Sequence, residues 1–373
     1  MAAPWFKSTP DSRRYPRLQG ARKSDVVVVG AGIAGCMTAY RLAKNGVQVT
    51  LIEANHVATG DTGYTTAFVT RIPDTALAPL VTRYGERFME RLIAFNKQTQ
   101  RSIRDLVLQQ KIKCDWQECR SFIVSYHKED PDLAGEWSVL HQVEPLAHKA
   151  TRQELNQSAP QATDGIVIEQ EAHFDPRKFL IGLLQTPIGK KITIFEESAV
   201  TNVTATTKSV HVTTDLGAIT ANKVVIATGL PIMDEFKPLF TTHITYALLA
   251  HYKQQPVSDD LVWDTDLPYF YYRRYIDRIM LGGADSKPGF ESAIAQQKLD
   301  SFLAKRLPGD YAVTERWSGS LFASQDGLPY ADQHPHHPGR IWVISGLAGN
   351  GMVMGSAAAT LVADSITDTH NGA

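Results

Sequence analysis

Cysteine is scarce in this chain: Cys36, Cys114 and Cys119 are the only three among 373 residues. Three cysteines without a paired spacing exclude a disulfide framework and suit a reducing compartment, so a cytoplasmic location is expected. Cys114 and Cys119 have four residues between them and no histidine nearby, which argues against a zinc or iron–sulfur site. Surplus charge is missing too. A net charge of −1 leaves no global basic field, so neither nucleic acid nor another polyanion is an expected partner. No apolar run reaches the roughly 20 residues that a membrane-spanning helix needs. The first 24 residues lack the apolar core of a secretion signal. They carry Arg13, Arg14, Arg17, Arg22 and Lys23 against Asp11, and residues 1–22 read as a solvated basic arm. His334, His336 and His337 lie among Pro335 and Pro338, a pattern that reads as a solvated surface loop, and no metal site is expected.

What is abundant is glycine in strategic places. Residues 25–54 read DVVVVGAGIAGCMTAYRLAKNGVQVTLIEA. Four valines, Val26 to Val29, predict a strand buried on both faces. Gly30, Gly32 and Gly35 follow with G-x-G-x-x-G spacing: the first for a tight turn, the second for approach of a pyrophosphate, the third for close helix–strand packing. A helix is predicted next, ending near Asn45 and Gly46, with its N-terminus aimed at phosphates. A second strand over 47–52 ends at Glu53, whose carboxylate suits the hydroxyls of an adenosine ribose. The ordered unit predicts a dinucleotide site.

After Glu53, Thr59, Gly60, Thr62, Gly63, Thr65 and Thr66 crowd one stretch, small groups that let backbone approach a cofactor. A long helix is expected over 83–110, a strand within 114–126, and mostly loop over 131–160. Asp175 followed by Pro176 predicts a capped helix. Strands are expected over 192–195, 199–206 and 210–214. Another over 223–229 closes on Ala227, Thr228 and Gly229, at the strand end where α/β sheets bind ligands. The aromatic stretches 245–252, 269–274 and 278–282 read as an antiparallel sheet. A helix over 296–307, then a strand over 341–345 leading into Gly346, Gly349, Gly351 and Gly355, completes the pattern.

Three blocks in this order, VVVVGAGIAGCMTAYRLAKNGVQVTLIEA, KVVIATG and DGLPYADQ…ISGLAGNGMVMGSAAATLVADSI, make the chain similar to the D-amino-acid-oxidase-like superfamily of FAD-dependent oxidoreductases. TGDTGYTTA, KIKCDW and YFYYRR…LGGAD resemble the branch often fused to a Rieske domain. The resemblance implies an α/β fold: a discontinuous Rossmann-like FAD-binding domain (23–80, 162–232 and 323–370) and an antiparallel α+β substrate domain (81–161 and 233–322). It implies that Gly30, Gly32, Ile33, Ala34, Gly35, Glu53 and Ala54 hold the ADP half. Thr59, Gly60, Thr62, Thr65, Thr66 and Ala67 fall beside the diphosphate and isoalloxazine. Val200, Thr228, Gly229 and Gly346 complete the cradle, and Gly349, Asn350, Gly351 and Met352 meet the flavin's pyrimidine edge, where a helix N-terminus would stabilise charge gained on reduction. FAD is expected without a covalent link.

Two departures qualify the resemblance. Relatives that oxidise amino acids commonly carry an arginine before the aspartate of the DGLP motif, whereas here Leu321 and Phe322 precede Asp326. A carboxylate clamp then comes from Arg273 or Arg274, or the substrate has no carboxylate there. No C-x-H…C-x-x-H set occurs, so no iron–sulfur domain is expected. The leading expectation is an oxidase or dehydrogenase taking hydride from a carbon bearing an amine, with O2 or a separate redox protein as electron acceptor. Tyr246 and the 269–273 segment are expected to roof the flavin, with Tyr246, Tyr271 and Arg273 as the catalytic-side contacts. The alternatives are a flavin-binding electron-transfer subunit and a nicotinamide-dependent dehydrogenase.

Overall fold

The computed structural model describes residues 3–9, 13–289 and 291–368. The four valines lie in the strand Gly20–Val29, at the centre of an eight-stranded sheet. Parallel neighbours are Gly217–Gly229 on one side and Val49–Ile52 on the other, extended by Ile341–Ser345 and Thr193–Phe195. Tyr330–Gln333 adds an antiparallel edge, and the hairpin of Val200–Ala205 and Val210–Thr214 folds back from Gly217–Gly229. Alternation divides the valines between two cores. Val26 and Val28 pack with helices Ile33–Lys44, Pro176–Gln185 and Gly351–Asp368, while Val27 and Val29 pack on the hairpin side.

The second sheet has nine strands. Its path runs Tyr311–Ser324, Phe240–Tyr252, Arg278–Ser286, Phe270–Tyr275, Leu261–Asp264, Gln117–Ser125, Asp164–His173, Phe68–Val69, with Ala147–Lys149 pairing off Asp164–His173. The sheet is antiparallel except where Leu261–Asp264 pairs in parallel with Gln117–Ser125. Asp164–His173 and Phe68–Val69, inside stretches expected in the nucleotide domain, are strands of this sheet.

Other expectations change. The long helix expected over 83–110 is present as Glu86–Gln109, and an unexpected shorter helix, Leu77–Tyr84, precedes it across Gly85 with φ +85°. The stretch expected as loop holds helices Pro131–Val143 and Arg152–Ser158, the first capped by Asp130, the second by a Thr151–Glu154 capping box. Among the described residues of the N-terminal stretch, Arg13, Arg14, Arg17 and Arg22 are exposed as expected of a solvated basic arm, but Pro4–Ser8 is helical, Trp5 is buried, and Gly20 already belongs to the central strand. Asp11 lies outside the described residues. His334 is buried rather than solvated, hydrogen-bonded to Glu235 at 2.9 Å. Among the described residues no helix is long and apolar enough to cross a membrane.

Candidate active site

A cavity of about 780 Å³ lies between the sheets, within the size range of small-molecule sites. On the parallel-sheet side Gly30 has φ +102°, and a Cβ there would come 2.4 Å from the Ala227 carbonyl oxygen. At Gly35 a Cβ would land 1.8 Å from the Gly30 oxygen, so only glycine lets the Ile33–Lys44 helix seat on the strand. A Cβ at Gly32 would point into the cavity wall, 3.1 Å from Thr62 Oγ1, which accepts the Ile33 N–H at 3.0 Å. Glu53 accepts the N–H groups of Ala31 (2.8 Å) and Asn55 (2.9 Å) and lines the cavity, leaving lone pairs for a ligand.

The other strand ends converge here. Gly30, Gly32, Ile33, Ala34, Glu53, Ala54, Gly60, Thr62, Thr65, Thr66, Val200, Thr228, Gly229, Gly346, Gly349, Asn350, Gly351 and Met352 all line the cavity. Three expected contacts do not: Gly35 packs beneath it, the Thr59 hydroxyl donates to His56 O at 2.8 Å, and Ala67 is buried with φ +60°. Asn350 is 4% exposed and donates through Nδ2 to the carbonyls of Thr70 and Ile72, while its Oδ1 is buried without a partner. An orphaned acceptor beside a cradle that tolerates only glycine fits a bound group with its own N–H donors.

The nine-stranded sheet supplies the opposite wall. Thr245, Ala247, Trp263, Tyr269, Tyr271 and Trp317 line the cavity, with the Tyr271 hydroxyl 3.0 Å from Thr245 Oγ1. Gly282 makes room for the Tyr271 ring, since a Cβ there would sit 2.4 Å from it. Tyr246 does not line the cavity. Strand alternation turns it to the opposite face, into the core formed with Tyr272 and Leu281. Arg273 is a correction of the same kind: it is 1% exposed and off the cavity wall. Its Nε donates to Thr66 O at 2.9 Å and its guanidinium lies over the Trp5 ring, so it holds a loop rather than a ligand. Arg274 does not line the cavity either.

That loop is gripped carbonyl by carbonyl. Trp317 Nε1 donates to Tyr64 O (2.9 Å), Trp5 Nε1 to Thr65 O (2.7 Å) and Arg273 to Thr66 O. Further on, Gln100, Asn350 and Asn96 donate to Val69, Thr70 and Arg71. No periodicity points to these donors, which come from five separate segments.

Charge around the cavity is one-sided. Its wall carries Glu53, Asp61, Asp74, Asp132, Glu136, Asp264 and Asp266, and no lysine, arginine or histidine among the described residues. Burial pushes Asp61 up to about 6, against an opposing hydrogen bond from the Ser320 backbone, and Glu136 and Asp264 up to about 7. Asp74 is raised by burial as well. It accepts the Gly349 N–H at 3.0 Å, so a carboxylate already meets the chain just before the last helix. Leu321 and Phe322 both line the cavity. The only described histidine–carboxylate cluster compact enough for a cation, His148 with Glu154 and Glu169, lies off this cavity, and Glu154 there already pairs with Arg120.

Comparison with known proteins matches this geometry to a family. The chain is 24% identical over 98% of its length to YhfW of Bacillus subtilis (strain 168), named as a Rieske 2Fe-2S iron-sulfur protein, and covers 73% of it. It is 24% identical to gamma-glutamylputrescine oxidoreductase of Escherichia coli (strain K12), over 94% of this chain and 85% of that one. The fold is similar to the crystal structure of glycine oxidase from Geobacillus kaustophilus, with TM-score 0.78 and 18% identity over 93% of this chain and 95% of that chain. Residues 25–365 match the family described as DAO, FAD dependent oxidoreductase, and the chain belongs to that family, with FAD as its cofactor.

Proposed function

We propose that the protein oxidises a carbon bearing an amine and prefers amines that lack a carboxylate on that carbon. The observation that carries the reading is the charge of the cavity wall: seven carboxylates, no cationic side chain among the described residues, and Leu321 with Phe322 where amino-acid-oxidising relatives place a clamp. Burying a substrate carboxylate against such a wall without a cation costs several kcal/mol. An ammonium suits it. The Escherichia coli relative's name points to an amine-bearing substrate, in line with this reading.

Bound FAD supplies the hydride acceptor at N5. The chain's own part is to hold and enclose. Glu53 would take the ribose, the Ile33–Lys44 N-terminus and Thr62 would hold the diphosphate, and Asn350 Oδ1 would offer an acceptor to the ring. Tyr269, Tyr271 and Trp263 wall the substrate space and keep water from the reacting carbon. The test is anaerobic flavin bleaching by matched pairs, each an amine and its α-carboxylated analogue. The uncarboxylated member should reduce the flavin at least tenfold faster at equal concentration. A tenfold advantage for the carboxylated member sinks the preference, and no bleaching by any amine favours an electron-transfer subunit instead.

A further inference from the structure

The cavity wall holds one acid whose surroundings differ from the rest. Asp74 comes just after the gripped loop and opens onto the cavity beside the tyrosine pair. Both of its oxygens are fixed: Oδ1 accepts the Tyr269 hydroxyl at 3.2 Å and Oδ2 the Gly349 N–H at 3.0 Å. Each carboxylate oxygen accepts about two hydrogen bonds, so one position on each remains. Glycine at 349 is required for this placement, because a Cβ there would sit 2.5 Å from Asp74 Oδ1. The Tyr269 and Tyr271 rings lie side by side, 5.6 Å between centroids, presenting aromatic surface next to the carboxylate.

We infer that Asp74 binds the substrate's ammonium group and sets the specificity of the amine oxidation proposed above, on which this inference rests. Asp74 is exposed to the cavity and has no described lysine, arginine or histidine beside it on that wall, so an arriving ammonium gains a charge-assisted hydrogen bond there without displacing a counter-ion. Aromatic faces add a cation–π contribution. The titratable groups facing Asp74 are Tyr269 and Tyr271 from Phe270–Tyr275 and its flank, and Asp285 from Arg278–Ser286, with His243 acting on Asp285. None of them supplies a lysine or arginine. The proton balance is simple. The ammonium gives one proton to the Asp74 carboxylate, leaving the neutral amine; bound FAD would supply the acceptor for the hydrogen and bonding pair that its carbon gives up, and the iminium cation left would be tolerated by the remaining acids. The ligand class is an alkyl or aryl ammonium.

The probe is tert-butylammonium, whose carbon next to nitrogen bears no hydrogen and therefore cannot be oxidised, with tert-butanol as its neutral counterpart. Binding to the FAD-loaded protein is read by perturbation of the flavin absorption band and by thermal shift. Wild type should bind the ammonium at least tenfold more tightly than the alcohol. Asp74→Asn, which keeps an acceptor for Gly349 and a partner for Tyr269, should stay yellow and lose that difference. Affinity of the wild type for the ammonium should weaken as pH falls through the raised Asp74 pKa, because a neutral acid no longer attracts the cation. Equal binding of the two probes, no binding of either, an unchanged affinity in Asp74→Asn, or loss of flavin from that variant each overturns the assignment. Binding that depends on Asp74 without bleaching by any oxidisable amine supports the site and instead removes the proposed oxidation.

Discussion

A carboxylic acid buried beside no cation holds its proton more tightly, and at Glu136 this makes stability depend on pH. Burial raises it to about 7, while the Leu77 N–H that it accepts at 2.8 Å pulls the other way. Its unfolded value is about 4.3. Between those values the folded state binds more protons than the unfolded one, so stability falls as pH rises from about 4.5 to about 7 and is flat beyond. Glu136→Gln keeps the acceptor for Leu77 and removes the ionisation. It should be more stable than wild type by about 1–3 kcal/mol at pH 8 and equal to it near pH 4.5, by urea unfolding. An identical pH slope in the two proteins would show that Glu136 titrates normally. Gly32 carries a prediction of another kind. Gly32→Val puts branched carbon against Thr62 and into the phosphate approach, so the variant should fold, by far-ultraviolet circular dichroism, but purify colourless. A fully yellow Gly32→Val protein would mean that the diphosphate lies elsewhere.

Held loops need donors, and the segment from Tyr64 to Ile72 draws its donors from distant elements. The short helix Pro4–Ser8 is one: Trp5 is 1% exposed, and its indole N–H reaches Thr65 O. Trp5→Phe keeps the packing and leaves that carbonyl unsatisfied, at a cost of about 1–3 kcal/mol. FAD should dissociate about tenfold faster from the variant, monitored as flavin fluorescence on dilution, with little change in the rate of flavin reduction. An unchanged release rate would show that the loop keeps its shape without this element. Arg273 belongs to the same device, which is why alternation put it on the correct strand face beside Tyr271 yet misjudged its role. The helices over 131–158 were legible in part. Asp130-Pro131 and the Thr151–Glu154 box are start signals, but prolines at 131, 145 and 160 gave the stretch the look of a loop.

The cavity is bounded by both sheets, so FAD held there would act as shared core for the two. A ligand that binds only the folded state stabilises it by about 2.7 kcal/mol at a hundredfold excess over its dissociation constant. Stripping FAD should therefore lower the melting temperature, and adding it back should restore that temperature in proportion to the logarithm of its concentration. Residues from 316 onward contain no cysteine, and the 59–67 stretch no histidine, where relatives attach the ring. Acid precipitation should accordingly leave the flavin in the supernatant; colour in the pellet would establish a covalent bond.

The half of the cavity proposed for the nucleotide was determined locally. Val26–Val29, three glycines and Glu53 lie within one strand–helix–strand unit, where every requirement is set by neighbours in sequence: a positive φ at Gly30, a close approach at Gly35, a carboxylate at a strand end. The same holds for Ala227–Gly229 and Gly346–Met352, which reach the cavity because parallel strands bring their carboxyl ends together. The substrate half depended on which face of a strand met which partner. Sequence alternation fixes that Tyr269, Tyr271 and Arg273 share a side, but not that Trp5 and Thr66 would claim Arg273 while the cavity kept the tyrosines. Asp74 has no local signature at all. Its position arises only when Tyr269 and Gly349, 195 and 275 residues away, are folded against it, because a contact between distant segments is set by tertiary packing and leaves no period or motif in the chain.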